Sequence, residues 1–141
     1  MQRSLEETRF ILKKYGITAN KRFGQNFLID DNVINEIIDV SNLKKSDLVI
    51  EIGPGLGTLT AKLLEEAGKV IAIELDSKML KILRDRFKLY NNFEILNEDV
   101  LKVDLKSLIN DSKKEYTAIK VVANLPYYIT TTIIMKLLEE K

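Results

Sequence analysis

The chain has 141 residues, 45% of them hydrophobic and 30% charged, with a net charge of +1; this balance suits a globular domain with a core and excludes a disordered or fibrous chain. With no cysteine and no histidine, it has no disulfide, thiol nucleophile or zinc site, and it lacks the commonest general base. The longest apolar runs, residues 48–52 and 118–123, are too short to cross a bilayer, and the polar, acidic start is not a signal peptide, so no membrane role and a cytoplasmic location are expected.

In chain order, Ser4 and Glu7 stand at capping-box spacing and predict a helix carrying Leu5, Ile11, Leu12 and Tyr15 that stops near Gly16. A polar loop over 17–29 follows. Lys13, Lys14, Lys21 and Arg22 lie close to Tyr15 and Phe23. They read either as a nucleic-acid patch, with charge for phosphate and rings for stacking, or as a solvated face with ordinary packing. Asp30 or Asp31 caps a second helix whose apolar face is Val33, Ile34, Ile37 and Ile38.

From residue 48 the pattern changes. A β-branched run over 48–52 ends in glycines, and residues 58–67 carry Leu59, Leu63, Leu64 and Ala67 at helical spacing before Gly68. The unit repeats as a strand over 70–74, a helix over 77–90 and a strand over 93–96. Then come a Lys- and Asp-rich connector around a short helix, a strand over 119–123 and a helix over 131–140. This alternation predicts an α/β, Rossmann-like doubly wound fold, a parallel sheet with helices on both faces. Residues 1–45 are a helical N-terminal extension and 46–141 the βα units of one domain. A closing helix of this kind leads into a further strand, so the sequence reads as the N-terminal part of a longer domain, truncated after four strands.

Glu51-Ile52-Gly53-Pro54-Gly55-Leu56-Gly57 links the first strand to its helix, where glycines let the backbone turn sharply and approach a ligand closely. Glu74 ends the next strand, where a carboxylate can accept both hydroxyls of a ribose. A dinucleotide fingerprint places its third glycine five residues after the first; here that position is Thr58 and the glycine is Gly57. The spacing speaks against NAD and suits S-adenosyl-L-methionine, which has a ribose and an adenine but no phosphate. Asp99, after the third strand, reads either as an acceptor for an adenine amine or as a capping aspartate.

The fourth strand runs into Asn124-Leu125-Pro126-Tyr127-Tyr128. Pro126 holds Leu125 extended, so the Asn124 side-chain oxygen and the Leu125 carbonyl can each take one hydrogen of an aromatic amine while Tyr127 stacks on its ring. Two such acceptors localise the nitrogen lone pair for in-line attack on a methyl group, with no strong base required. An ordinary strand-to-helix turn is the alternative for this segment.

With these residues in place, the chain resembles the ribosomal RNA adenine dimethyltransferase family, whose members place two methyl groups on N6 of adjacent adenines in small-subunit ribosomal RNA. The matching segments are Arg22-Phe23-Gly24-Gln25-Asn26-Phe27-Leu28-Ile29-Asp30, the glycine turn through Thr60, Ile73-Glu74-Leu75-Asp76, Asn97-Glu98-Asp99-Val100-Leu101 and Val122 through Ile129. The resemblance implies that Gln25, Asn26 and Leu28 meet the methionine end of S-adenosyl-L-methionine above Gly53 and Gly55. Glu74 and Leu75 would then meet the ribose side, Asp99 and Val100 the adenine, and Asn124, Leu125, Pro126 and Tyr127 would hold the target base, with Asn124 also near the cofactor. Ribosomal RNA in the small subunit is the implied partner. DNA adenine methyltransferases commonly begin the last turn with Asp-Pro-Pro-Tyr, and the large-subunit enzymes of macrolide resistance match Phe23-Gly24-Gln25 and Leu125 less well.

The chain departs from the family at Thr132, usually proline, and in its length, since the family fold has seven strands and a helical C-terminal domain. A fourth strand without its neighbour predicts self-association through an apolar edge. The other readings are a non-catalytic module of the same fold that holds cofactor or RNA, and, third, an NAD-dependent enzyme.

Overall fold

The computed structural model describes residues 2–15 and 31–123. Strand β1 (Asp47–Ile52) is buried along its whole length, as befits a central parallel strand covered on both faces. Alternation along it sends Leu48, Ile50 and Ile52 to one face and Asp47, Val49 and Glu51 to the other. Around it, β2 (Lys69–Ile73), β3 (Phe93–Leu96) and β4 (Ala118–Ala123) complete a parallel sheet of order β3-β2-β1-β4.

On one face lie α2 (Asp31–Ser41), α3 (Thr58–Glu66) and α4 (Ser77–Arg86). Here Ile34, Leu63, Leu83 and Phe87 pack against Val49, Val70 and Val122. The other face is covered by a 3-10 turn (Val100–Lys102) and α5 (Leu105–Ser112), with Val100, Val103 and Leu105 on Ile50, Ile52 and Ile73. Helix α1 (Gln2–Lys14) sits further out, placing Ile11 and Leu12 on Leu56, Met79 and Ile82. The chain steps outward from β1 through β2 to β3 and returns to β4 on the opposite side of β1. That reversal makes the carboxyl ends of β1 and β4 the switch point where open α/β sheets bind ligands.

The order of elements agrees with the sequence reading, while several boundaries move. Helix α1 begins at Gln2, so Ser4 lies inside its first turn and is not an N-cap. The Glu7 carboxylate is instead taken by Arg86 across the fold. Strand β2 ends at Ile73, one residue before Glu74. Helix α4 stops at Arg86 and not at residue 90, because Phe87 leaves helical geometry (φ −115°, ψ 21°) as its ring enters the core, 5% exposed. Asp31 opens α2 from within the helix; Asp30 and the expected helix over 131–140 lie outside the described residues.

Candidate functional site

The turn after β1 owes its shape to its glycines. Gly53, Gly55 and Gly57 have φ of 67°, 60° and 90°, values that side chains with a Cβ rarely adopt. The Gly57 N–H donates to the Pro54 carbonyl at 3.0 Å and the Gly53 N–H to the Ile73 carbonyl at 3.0 Å. The turn is thus tied both to itself and to the end of β2. Gly57 has a second constraint, since a Cβ there would stand 2.6 Å from the Phe87 ring.

Beside this turn stands Glu74. Its N–H continues the ladder to the Leu96 carbonyl at 2.9 Å. Its carboxylate accepts from the Gly55 N–H at 3.2 Å and from the Asp76 N–H at 3.0 Å, one bond to each oxygen. Burial pushes this carboxyl above its ordinary range, and the two N–H donors hold the rise in check. Each oxygen keeps acceptor capacity for a hydroxyl donor. Asn97 supports the same corner, its amide donating to the carbonyls of Glu74 and Leu75 at 2.8 and 3.1 Å. Leu75 is 65% exposed there, an apolar side chain in solvent at the rim of the turn.

Asp99 caps the 3-10 turn, accepting from the Leu101 N–H at 3.0 Å, so the capping alternative is realised in the structure. The bond also fixes the side chain's direction, and a carboxylate retains further acceptor sites. Val100, 9% exposed, packs beneath it into the lower cluster. Gly53, Gly55, Glu74, Leu75, Asp99 and Val100 thus all stand at the ends of β1, β2 and β3. Gln25, Asn26 and Leu28, together with Asn124, Leu125, Pro126 and Tyr127, lie outside the described residues. Ala123, the last residue of β4, is in register with Ile52, the last of β1.

Sequence reasoning quoted Glu51 without giving it a role. It is 2% exposed and accepts the buried Thr60 hydroxyl at 2.5 Å. Desolvation raises its carboxyl from 4.5 to about 7, the Thr60 hydrogen bond opposing and the Glu74 charge adding. A lone charge inside the apolar run over 48–52 was the available signal. Nothing local marked Asn97 or Arg86, because both act on residues distant in sequence.

The profile of the ribosomal RNA adenine dimethylase family matches residues 16–141. The chain belongs to this family. It is 51% identical over 138 residues to a ribosomal RNA small subunit methyltransferase A of Alkaliphilus metalliredigens, covering 98% of this chain and 48% of that protein. A dimethyladenosine transferase from Plasmodium falciparum superposes with a TM-score of 0.65 at 35% identity, covering 79% of this chain and 38% of the other. The 23S rRNA methyltransferase ErmE superposes at 0.64 with 30% identity, covering 80% and 43%. The sheet is the Rossmann-like fold of class I methyltransferases, as the alternation of elements predicts, and the adenine dimethylase resemblance is borne out. The chain spans about half the length of the curated relatives it matches.

Among the described residues, no helix is long and apolar enough to cross a membrane. No group of three or more acidic side chains there is arranged to hold a metal ion.

Proposed function

We propose that the chain is the cofactor-binding part of an S-adenosyl-L-methionine-dependent enzyme that dimethylates N6 of adenines in small-subunit ribosomal RNA, acting in the cytoplasm. The observation that carries this reading is the contact between the Gly55 N–H and the Glu74 carboxylate at 3.2 Å. It joins a glycine turn to a ribose-type acceptor at the switch point of the sheet. The donor set fits the cofactor: a carboxylate with acceptor sites to spare, a turn without side chains at Gly53 and Gly55, and no demand for pyrophosphate binding.

S-adenosyl-L-methionine, when bound, supplies an electrophilic methyl group on a sulfonium. Glu74 accepts the ribose hydroxyls, Leu75 flanks them with apolar surface, and Asp99 with Val100 meets the adenine. Gln25, Asn26 and Leu28 hold the methionine end. Asn124 and the Leu125 carbonyl would accept the two hydrogens of the target amine, Pro126 would restrict the backbone before it, and Tyr127 would stack on the base. Their work is positioning plus hydrogen bonds that strengthen as the nitrogen gains positive charge.

Calorimetry of the folded chain with S-adenosyl-L-methionine tests the cofactor assignment. Binding is expected, and Glu74→Ala weakens it about tenfold or more, as loss of a buried charged acceptor should. No binding by folded protein defeats the assignment. Labelled cofactor with unmethylated small ribosomal subunits tests transfer; binding without transfer favours the second reading, a non-catalytic module of the same fold that holds cofactor or RNA. Self-association through the β4 edge belongs to the same proposal, motivated by a groove of about 420 Å³ lined by Val33, Ile37, Val40, Val121 and Val122.

A further inference from the structure

In the turn over 53–57, Leu56 is the only residue that is neither glycine nor proline, and it is held twice. Its side chain, 2% exposed, packs with Ile11 and Leu12 of α1 and with α4. Its carbonyl accepts from Arg86 Nη1 at the end of α4. The other arm of that guanidinium, Nη2, donates to Glu7 Oε1 of α1 at 2.5 Å. This is no solvated surface pair, for the two side chains are only 17% and 34% exposed. The guanidinium also lies 5.0 Å from the centre of the Phe87 ring, and that ring occupies the space a Cβ on Gly57 would need. Consecutive residues of the turn, Leu56 and Gly57, are therefore held from behind by consecutive residues at the end of α4, with α1 closing over them.

We propose that Glu7 and Arg86 are positioning residues of the cofactor site: they brace the glycine turn from its outer side and so set the affinity with which its inner side binds cofactor. The inference rests on the proposed S-adenosyl-L-methionine site. A glycine-rich turn has more conformations to lose than any other segment, and whatever ordering is left to the moment of binding appears as lost affinity. The planar fork of arginine suits the task because it reaches two acceptors in fixed directions, which a lysine ammonium on a flexible stem does not. By linkage, cofactor that binds the braced turn must in turn tighten α1.

The test uses the whole chain with Arg86→Lys, Arg86→Gln and Glu7→Gln. S-adenosylhomocysteine affinity is measured by calorimetry, and amide exchange is followed at Gly57 and along β1. Arg86→Gln is expected to raise the S-adenosylhomocysteine Kd about tenfold and to speed Gly57 exchange while β1 stays protected, with Glu7→Gln and Arg86→Lys changing Kd by a smaller factor of about three. In the wild type, S-adenosylhomocysteine slows exchange along α1. Should Arg86→Gln fail to fold, Glu7→Gln carries the test, since it leaves the Leu56 contact in place. Wild-type binding matched by the folded variants overturns the brace alone. A wild-type chain that binds no S-adenosylhomocysteine overturns the cofactor reading and takes the brace with it.

Discussion

Glu51 places an ionisable carboxyl in a strand buried on both faces, with the Thr60 hydroxyl as its hydrogen-bond donor. Its folded-state value of about 7 lies above the ordinary 4.5, so between these pH values the folded chain holds a proton that the unfolded chain has released. Stability therefore falls as pH rises from 4.5 to 7 and levels off above. The full difference amounts to about 3 kcal/mol. Glu51→Gln should flatten most of that slope, leaving the part that the raised Glu74 carboxyl contributes, and make the chain more stable than wild type at pH 8, as denaturant melts across pH will show. A slope as steep as that of the wild type after the substitution would assign it to another group. At this scale the sequence was readable where residue type and position dictate placement, as with the positive φ of the glycines and Glu74 beside their turn. Arg86 could not be read in the same way, because its partners, Glu7 and the Leu56 carbonyl, are brought to it by folding.

Strand β4 is joined to β1 by a continuous parallel register from Asp47 opposite Ala118 to Ile52 opposite Ala123, and by a polar tie at its start. Lys120 Nζ donates to the carbonyls of Ser41 and Asn42 and to Asp47 Oδ2, at 2.6, 3.0 and 3.0 Å. The Lys120 hydrogen bond, helped by the Lys44 N–H, holds the buried Asp47 carboxyl below its ordinary 3.8. That stabilisation is fully present above the ordinary value and is lost as pH falls through the depressed one. Lys120→Met leaves the Asp47 carboxylate, 2% exposed, with the Lys44 N–H but without its cation, and a loss of about 2 kcal/mol is expected at neutral pH. The gap to wild type should close in acid; equal melting of the two proteins at pH 7 would refute the tie. The helices were legible from their 3.6 spacing and the strands from short β-branched runs closed by turn residues, as parallel strands buried on both faces give. Their ends were less legible. Phe87 leaves α4 to fill the core, and Ser4 sits within a helix that starts ahead of it.

For the whole molecule, the sheet ends on one side at β4, which has no further strand partner among the described residues. Beside it lies the apolar groove against α2. Self-association through this edge should give a concentration-dependent mass by light scattering, and a monomer at high concentration would refute it. The sequence by itself determined the α/β class, the glycine turn, its acidic partner and the family, because each depends on residue types at short, regular spacings. Only the tertiary structure decided that α1 and Arg86 stand behind the glycine turn, that Glu51 is sealed beside Thr60 and that Lys120 ties β4 to the rest. The Arg86 and Lys120 contacts join residues far apart in the chain, Glu51 meets Thr60 only because the glycine turn folds α3 back on β1, and all of these distances are set by how helices pack on a twisted sheet.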